Sequence, residues 1–205
     1  MDGAASGLTR RIAVWTALAV AIAVPVGAAA ASPVLAWRNP IYIIAGFAGI
    51  GALALLLVQP LLAAGTLPGL SAANARRTHR ITGGVLVAAV CIHVLGLWVT
   101  SPPDVVDALL FTAPTPFSVW GVIAMWAIFA SWLMVGLRQR LQLRPRAWRL
   151  AHTILAGVIV VGSIVHALLI EGTMETLSKA ALCVLVVAAT VKVIAGRKVW
   201  AKSTP

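Results

Sequence analysis

The chain contains the segment RRTHRITGGVLVAAVCIHVLGLW at residues 76–98, an apolar stretch of helix length with a basic start. It carries two histidines, His79 and His93, and histidine rarely lies in hydrocarbon without a partner or a role. The two are fourteen residues apart, nearly four turns of an α-helix. Both imidazoles therefore project from one face, about 21 Å apart along the axis. The segment predicts a membrane helix that presents two histidines to one neighbour.

The composition is that of an integral membrane protein. Of 205 residues, 61% are hydrophobic and only 10% are charged. The net charge of +11 could indicate a nucleic-acid-binding protein. The basic residues, however, stand at the ends of apolar runs, where they are signals of membrane orientation.

Six apolar segments have the length of a membrane-spanning helix, and their runs show no strand-like alternation. The sequence therefore predicts an all-α membrane protein, a six-transmembrane-helix bundle over residues 12–195. A cytoplasmic N-terminus at residues 1–11 and a short cytoplasmic tail at residues 196–205 flank it. The predicted segments are 12–31, 41–63, 80–100, 117–137, 150–170 and 177–195.

The distribution of charge predicts that both termini are cytoplasmic. Fourteen of the 16 basic residues lie in the termini and in the loops after the second and fourth segments. The remaining loops hold the other two cations and four acids: Arg38, Lys179, Asp104, Asp107, Glu171 and Glu175. The first segment also resembles a signal peptide, with Arg10 and Arg11 before an apolar run and GAAAAS after it. Its cleavage would leave five helices in the same orientation.

The other two histidines of the chain repeat the first pair. His152 and His166 lie in WRLAHTILAGVIVVGSIVHALL, residues 148–169, and are again fourteen residues apart. The third and fifth segments run in the same direction across the membrane. We therefore expect His79 beside His152 near the cytoplasmic face, and His93 beside His166 nearer the outside.

Two imidazoles that face each other across a gap are the axial ligands that a six-coordinate haem iron needs. The four histidines thus predict two haems, with pairs His79/His152 and His93/His166 as the metal ligands. There is no CxxCH motif, so both haems would be non-covalent and b-type. A zinc or di-iron site is disfavoured, because neither level supplies a carboxylate or thiolate. Arg80 and Arg149 are candidates to pair the propionates of the inner haem, although orientation signals alone would also explain them.

The histidine-bearing segments also carry a resemblance to a known family. HRITGG and CIHV in the third segment, PFSVWG at the start of the fourth, and WRLAHTIL and IVHALL in the fifth resemble the ferric reductase transmembrane family. The resemblance extends over residues 41–195. It implies that the four histidines correspond to that family's two haem-binding pairs, in helices at about 80–100 and 150–170. It also implies electron transfer from the cytoplasm to an acceptor outside.

The chain departs from the reductase members of that family, which continue into a flavin and nicotinamide module. It ends at Pro205, with no GxGxxG or P-loop, and predicts no FAD or NAD site. It resembles the stand-alone membrane subunits, found in a bacterial inner membrane. Such subunits take electrons from a separate flavoprotein or from quinol and pass them to a periplasmic or extracellular acceptor.

Two other functions stay open from the residues alone. A quinol-oxidising cytochrome b also carries spaced histidine pairs, but its connections are usually longer than the basic loop at 138–149. A small membrane transporter could use histidines along its pathway. Transporters, however, usually have internal repeats and intramembrane acids, which this sequence does not show.

Overall fold

The structure, a computed structural model, describes residues 2–196, with side chains from residue 7 onward. Within these residues there is no strand, and six helices are long and apolar enough to cross a membrane. The predicted all-α, multi-pass architecture is therefore confirmed. Apart from Gly196, the predicted tail at 196–205, with Arg197, Lys198 and Lys202, lies outside the described residues.

The six long helices correspond in order to the six predicted segments, with ends that differ by up to ten residues, the largest difference being at the start of the first helix. They are α1 (Asp2–Ala30), α2 (Pro40–Ala64), α3 (Ala72–Thr100), α5 (Pro116–Gly136), α7 (Pro145–Leu169) and α8 (Thr176–Gly196). Three short helices connect them and were not predicted: a 3₁₀ helix at Pro33–Trp37, α4 (Pro102–Leu109) and α6 (Arg138–Leu141).

Capping residues and prolines, rather than the ends of the apolar runs, determine where the helices begin. The helix α3 begins eight residues before its predicted span, because Ser71 caps it by accepting a hydrogen bond from the Asn74 N–H at 3.2 Å. Proline stands at the first turn of α2, α5 and α7, where its missing N–H costs nothing. The Glu175 carboxylate accepts the N–H groups of Leu177 and Ser178 at the start of α8, at 2.7 and 2.8 Å.

The packing divides the bundle into two antiparallel helix pairs. The helix α2 packs along α3, and α5 packs along α7, while α8 packs on both α2 and α7. In the described chain, α3 and α7 are not among the closely packed pairs. The core between the pairs is aliphatic and includes Leu53, Leu86, Val122, Ile159 and Leu182. The two histidine-bearing helices therefore face each other at a distance.

Each end of the bundle has its own charge. We call the end that carries Arg76, Arg77, Arg80 and the 138–149 connection the basic end. The opposite end, with Asp104, Asp107, Glu171 and Glu175, is the acidic end. By the positive-inside rule the basic end is predicted to face the cytoplasm.

Candidate functional site

The four histidines form two pairs, as their spacing predicted. At the basic end the ring centroids of His79 and His152 are 6.3 Å apart, with an interplanar angle of 77°. At the acidic end His93 and His166 are also 6.3 Å apart, at 84°. The members of each pair come from α3 and α7, so the rings reach across the space between these helices.

The separation of the rings fits a metal between them. A first-row metal lies about 2 Å from an imidazole nitrogen, and the ring centroid lies about 1 Å beyond. Two axial imidazoles on one metal therefore have centroids about 6 Å apart. Both pairs meet this condition. Among the described residues, no group of three or more His, Cys, Asp or Glu side chains could hold a metal ion. Each level offers two imidazoles, which suits a macrocycle that supplies its own equatorial ligands.

A backbone carbonyl orients each imidazole of the acidic-end pair. His93 Nδ1 lies 2.7 Å from the Ala45 carbonyl on α2, and His166 Nδ1 lies 2.8 Å from the Phe117 carbonyl on α5. A carbonyl only accepts, so Nδ1 carries the proton in both rings. In the neutral imidazole the lone pair is then on Nε2, which is the state a metal requires.

Two glycines give these imidazoles access to the carbonyls. A Cβ on Gly49 would lie 3.0 Å from His93 Nδ1, and one on Gly121 would lie 2.6 Å from His166 Nδ1. Each glycine stands four residues after the residue whose carbonyl accepts the bond. A helical side chain covers the turn that precedes it, so a larger residue here would cover the carbonyl. Glycine is needed at both positions because the imidazole occupies the space of a side chain.

The basic-end pair is held by the same two neighbouring helices. His79 Nδ1 lies 3.2 Å from the Gln59 carbonyl on α2, and His152 Nδ1 lies 3.1 Å from the Ser131 hydroxyl on α5. The Gln59 amide also donates to Thr82 at 3.1 Å. The hydroxyl of Ser131 takes the place that a backbone carbonyl takes for the other three histidines.

The partners on α2 and α5 repeat the spacing of the histidines. Ala45 and Gln59 are fourteen residues apart on α2, and Phe117 and Ser131 are fourteen apart on α5. Because α2 is antiparallel to α3, and α5 to α7, the same spacing recurs in the histidines and in their hydrogen-bond partners. Sequence reasoning missed these four residues, although the shared spacing was a signal that could have found them.

Trp148 was also missed, and it contacts a histidine of the basic-end pair. Its indole stacks on the His152 ring, with centroids 5.2 Å apart and an interplanar angle of 6°. The Arg138 guanidinium lies over the indole, with its central carbon 4.7 Å from the ring centroid. The indole Nε1 is buried and has no hydrogen-bond partner in the structure. Arg138 and His152 thus both contact the indole ring.

The other residues singled out in the sequence have simpler positions. Arg80 and Arg149 are exposed at the basic end, on the same helices as His79 and His152. Their pairing with propionates stays a prediction. Lys179, counted with the loop cations, lies in α8, as the predicted span 177–195 implied, and it is only 6% exposed.

The family described as Ferric reductase like transmembrane component matches residues 45–163, more than half of the chain. The match contains three of the histidines and ends three residues before His166. No curated protein and no solved structure matches the chain.

Proposed function

The chain belongs to the family of ferric reductase like transmembrane components, and we propose that it carries electrons across a membrane through two non-covalent b-type haems. It would act as the membrane subunit of a reductase system. The observation that carries this proposal is the pairing of all four histidines at one separation, across two helices that are not closely packed. A haem with two imidazole ligands has no open coordination position, so it supplies one-electron transfer.

The residues of the chain would hold and orient the two haems. His79 and His152 would ligate one at the basic end, and His93 and His166 the other at the acidic end. The partners on α2 and α5 keep each ring in place, since the second contact of a ligating histidine fixes its orientation. The aliphatic core between the helix pairs would surround the path between the two haems with apolar side chains.

The charges of the two ends support a direction for the electrons. The basic end would face the cytoplasm and receive electrons from a separate flavoprotein or from quinol. The acidic end would face the outside, where a metal ion, oxygen or a periplasmic protein accepts them. Arg80 and Arg149 would pair the propionates of the basic-end haem.

A spectrum of the purified protein tests the proposal. Expressed with sufficient haem, the detergent-solubilised chain should show a b-type α band in its reduced-minus-oxidised spectrum and contain two haems per chain. His93→Ala and His166→Ala should each remove the same haem, and His79→Ala and His152→Ala the other.

Cys91→Ala is the matched control, since Cys91 is a half-buried residue of α3 two positions from His93. It should retain both haems. Absence of the α band in the wild-type protein would contradict haem binding. Loss of different haems in the His93 and His166 variants would contradict the pairing alone.

A further inference from the structure

Lys179 is a buried cation whose charge nothing described in the chain balances. It is 6% exposed, and its Nζ donates a hydrogen bond to the Ile170 carbonyl at 2.6 Å. An ammonium group has three N–H donors. Within residues 2–196 this carbonyl is the one acceptor seen for it, and no carboxylate forms an ion pair with it.

The contact with Ile170 explains only part of this arrangement. Ile170 ends α7, and a cation is favourable at the negative end of a helix dipole. An exposed lysine would gain this contact without leaving water. A buried charge is costly unless it is paired, and the neighbouring Leu182 and Cys183 are buried and apolar. The burial of Lys179 therefore calls for an anion that the protein does not itself supply.

The position of Lys179 indicates which anion this is. The Ile170 N–H is bonded to the His166 carbonyl at 3.2 Å, so the ammonium group lies about one helical turn from the acidic-end pair. The helix α8, which carries Lys179, packs on α2 and α7. These two helices hold His93 through Ala45 and carry His166. Lys179 is therefore buried along the edge of the space in which the acidic-end haem would lie.

Arg38, the other described cation of the acidic end, is not a buried, unpaired charge like Lys179. Arg38 is exposed, and its guanidinium lies over the Tyr42 ring at 5.1 Å. The basic end, in contrast, has many arginines near its histidine pair. A haem brings two carboxylates, and Lys179 is the buried cation placed to receive one at the acidic end.

We propose that Lys179 binds a propionate carboxylate of the acidic-end haem and raises the reduction potential of that haem. This inference rests on the proposed function. A cation near the macrocycle favours the reduced state, which has one positive charge fewer than the oxidised state.

Potentiometric titration of the two haems in Lys179→Met tests the inference. Methionine has a similar shape without the charge. The reduction equilibrium constant of the acidic-end haem, identified by its loss in His93→Ala, should fall about tenfold, which is 59 mV for a one-electron couple. The basic-end haem should keep its potential. Lys192→Met is the control, because Lys192 is an exposed lysine toward the other end of α8; it should shift neither haem.

A second variant separates charge pairing from helix capping. Lys179→Gln keeps a donor for the Ile170 carbonyl and loses the charge. If the methionine variant does not accumulate, this variant alone tests the effect of the charge on the potential. Charge pairing predicts the lowered potential in this variant, and capping alone predicts wild-type potentials. Unchanged potentials, or an equal shift of both haems, would overturn the inference while leaving the two-haem proposal intact. Absence of haem from the wild-type protein would instead contradict the proposed function itself.

Discussion

Replacing Gly121 by alanine should weaken haem binding at the acidic end. The new Cβ would lie 2.6 Å from Nδ1, 2.7 Å from Cε1 and 3.2 Å from Cγ of the His166 ring. These atoms belong to a rigid ring whose position is set by the 2.8 Å contact of Nδ1 with the Phe117 carbonyl. The ring, rather than a flexible side-chain end, has to move.

The size of this movement follows from the contact distance. Ordinary van der Waals contact begins at 3.4 Å, so the ring must move about 0.8 Å away from α5. The Phe117 carbonyl lies on the same helix surface, and the same movement carries Nδ1 out of hydrogen-bonding range. Loss of such a contact behind a metal ligand typically costs 10- to 100-fold in affinity, or about 1.4 to 2.8 kcal/mol.

The folding effect of the substitution should have the opposite sign. Alanine in a helix interior is favoured over glycine by about 1 kcal/mol. Gly157→Ala on α7 has nothing within 4 Å of its Cβ, so it gains the helix preference without the clash. Gly49→Ala, with its closest contact to His93 at 3.0 Å, should give an intermediate effect.

The assay is haem content and titration of apoprotein with haem for the three alanine variants and the wild type. The expected order of haem loss at the acidic end is Gly121→Ala, then Gly49→Ala, with Gly157→Ala equal to wild type. Two haems bound with wild-type affinity in Gly121→Ala would refute the argument that the imidazole needs this space. Equal losses in all three variants would show a general packing defect instead.

Three further predictions concern the basic end and the start of α8. Trp148→Leu removes the stack on His152 and should shift the spectrum and potential of the basic-end haem alone, whereas Trp148→Phe keeps a ring there and should retain most of the wild-type behaviour. Ser131→Ala removes the partner of His152 Nδ1 and should weaken basic-end haem binding about tenfold in a haem titration, and Ser131→Thr should restore it. The backbone N–H groups of Ser178 and Leu177 lower the pKa of Glu175 below its usual value of 4.5, so its capping contribution is present above that pH and is lost as the pH falls through the lower folded-state pKa. Thermal unfolding of Glu175→Gln should therefore differ from wild type at neutral pH and converge with it in acid; a constant difference would contradict the capping role.

The positions of the histidines were the most predictable part of the site. Apolar length identifies a membrane helix, and helical rise converts a spacing of fourteen residues into a depth. His79 and His93 could therefore be matched with His152 and His166 without knowledge of any contact. The structure confirms the six helices and brings both pairs together.

The hydrogen-bond partners of the histidines were much harder to predict. A backbone carbonyl such as that of Ala45 has no sequence signature, and Gly49 and Gly121 are two glycines among 17. The start of α3 depended on a cap at Ser71, outside the apolar run. Gly162 and Gly83 each stand four residues from a histidine and have a different position. A Cβ on Gly162 would meet the Trp120 carbonyl at 2.9 Å, so this glycine makes room for α5, whereas a Cβ on Gly83 would reach the Gln59 amide at an ordinary contact distance of 3.6 Å.

The sequence by itself determined that this chain has six helices long and apolar enough to cross a membrane and carries its histidines at two levels, because apolar length and helical spacing act along one helix at a time. Only the tertiary structure decided which helix lies behind each imidazole, which ring nitrogen keeps its proton, and that Lys179 is buried. Those features arise between helices far apart in the chain. There the space left by one missing Cβ, or the direction of one carbonyl, determines what the neighbouring side chain can do.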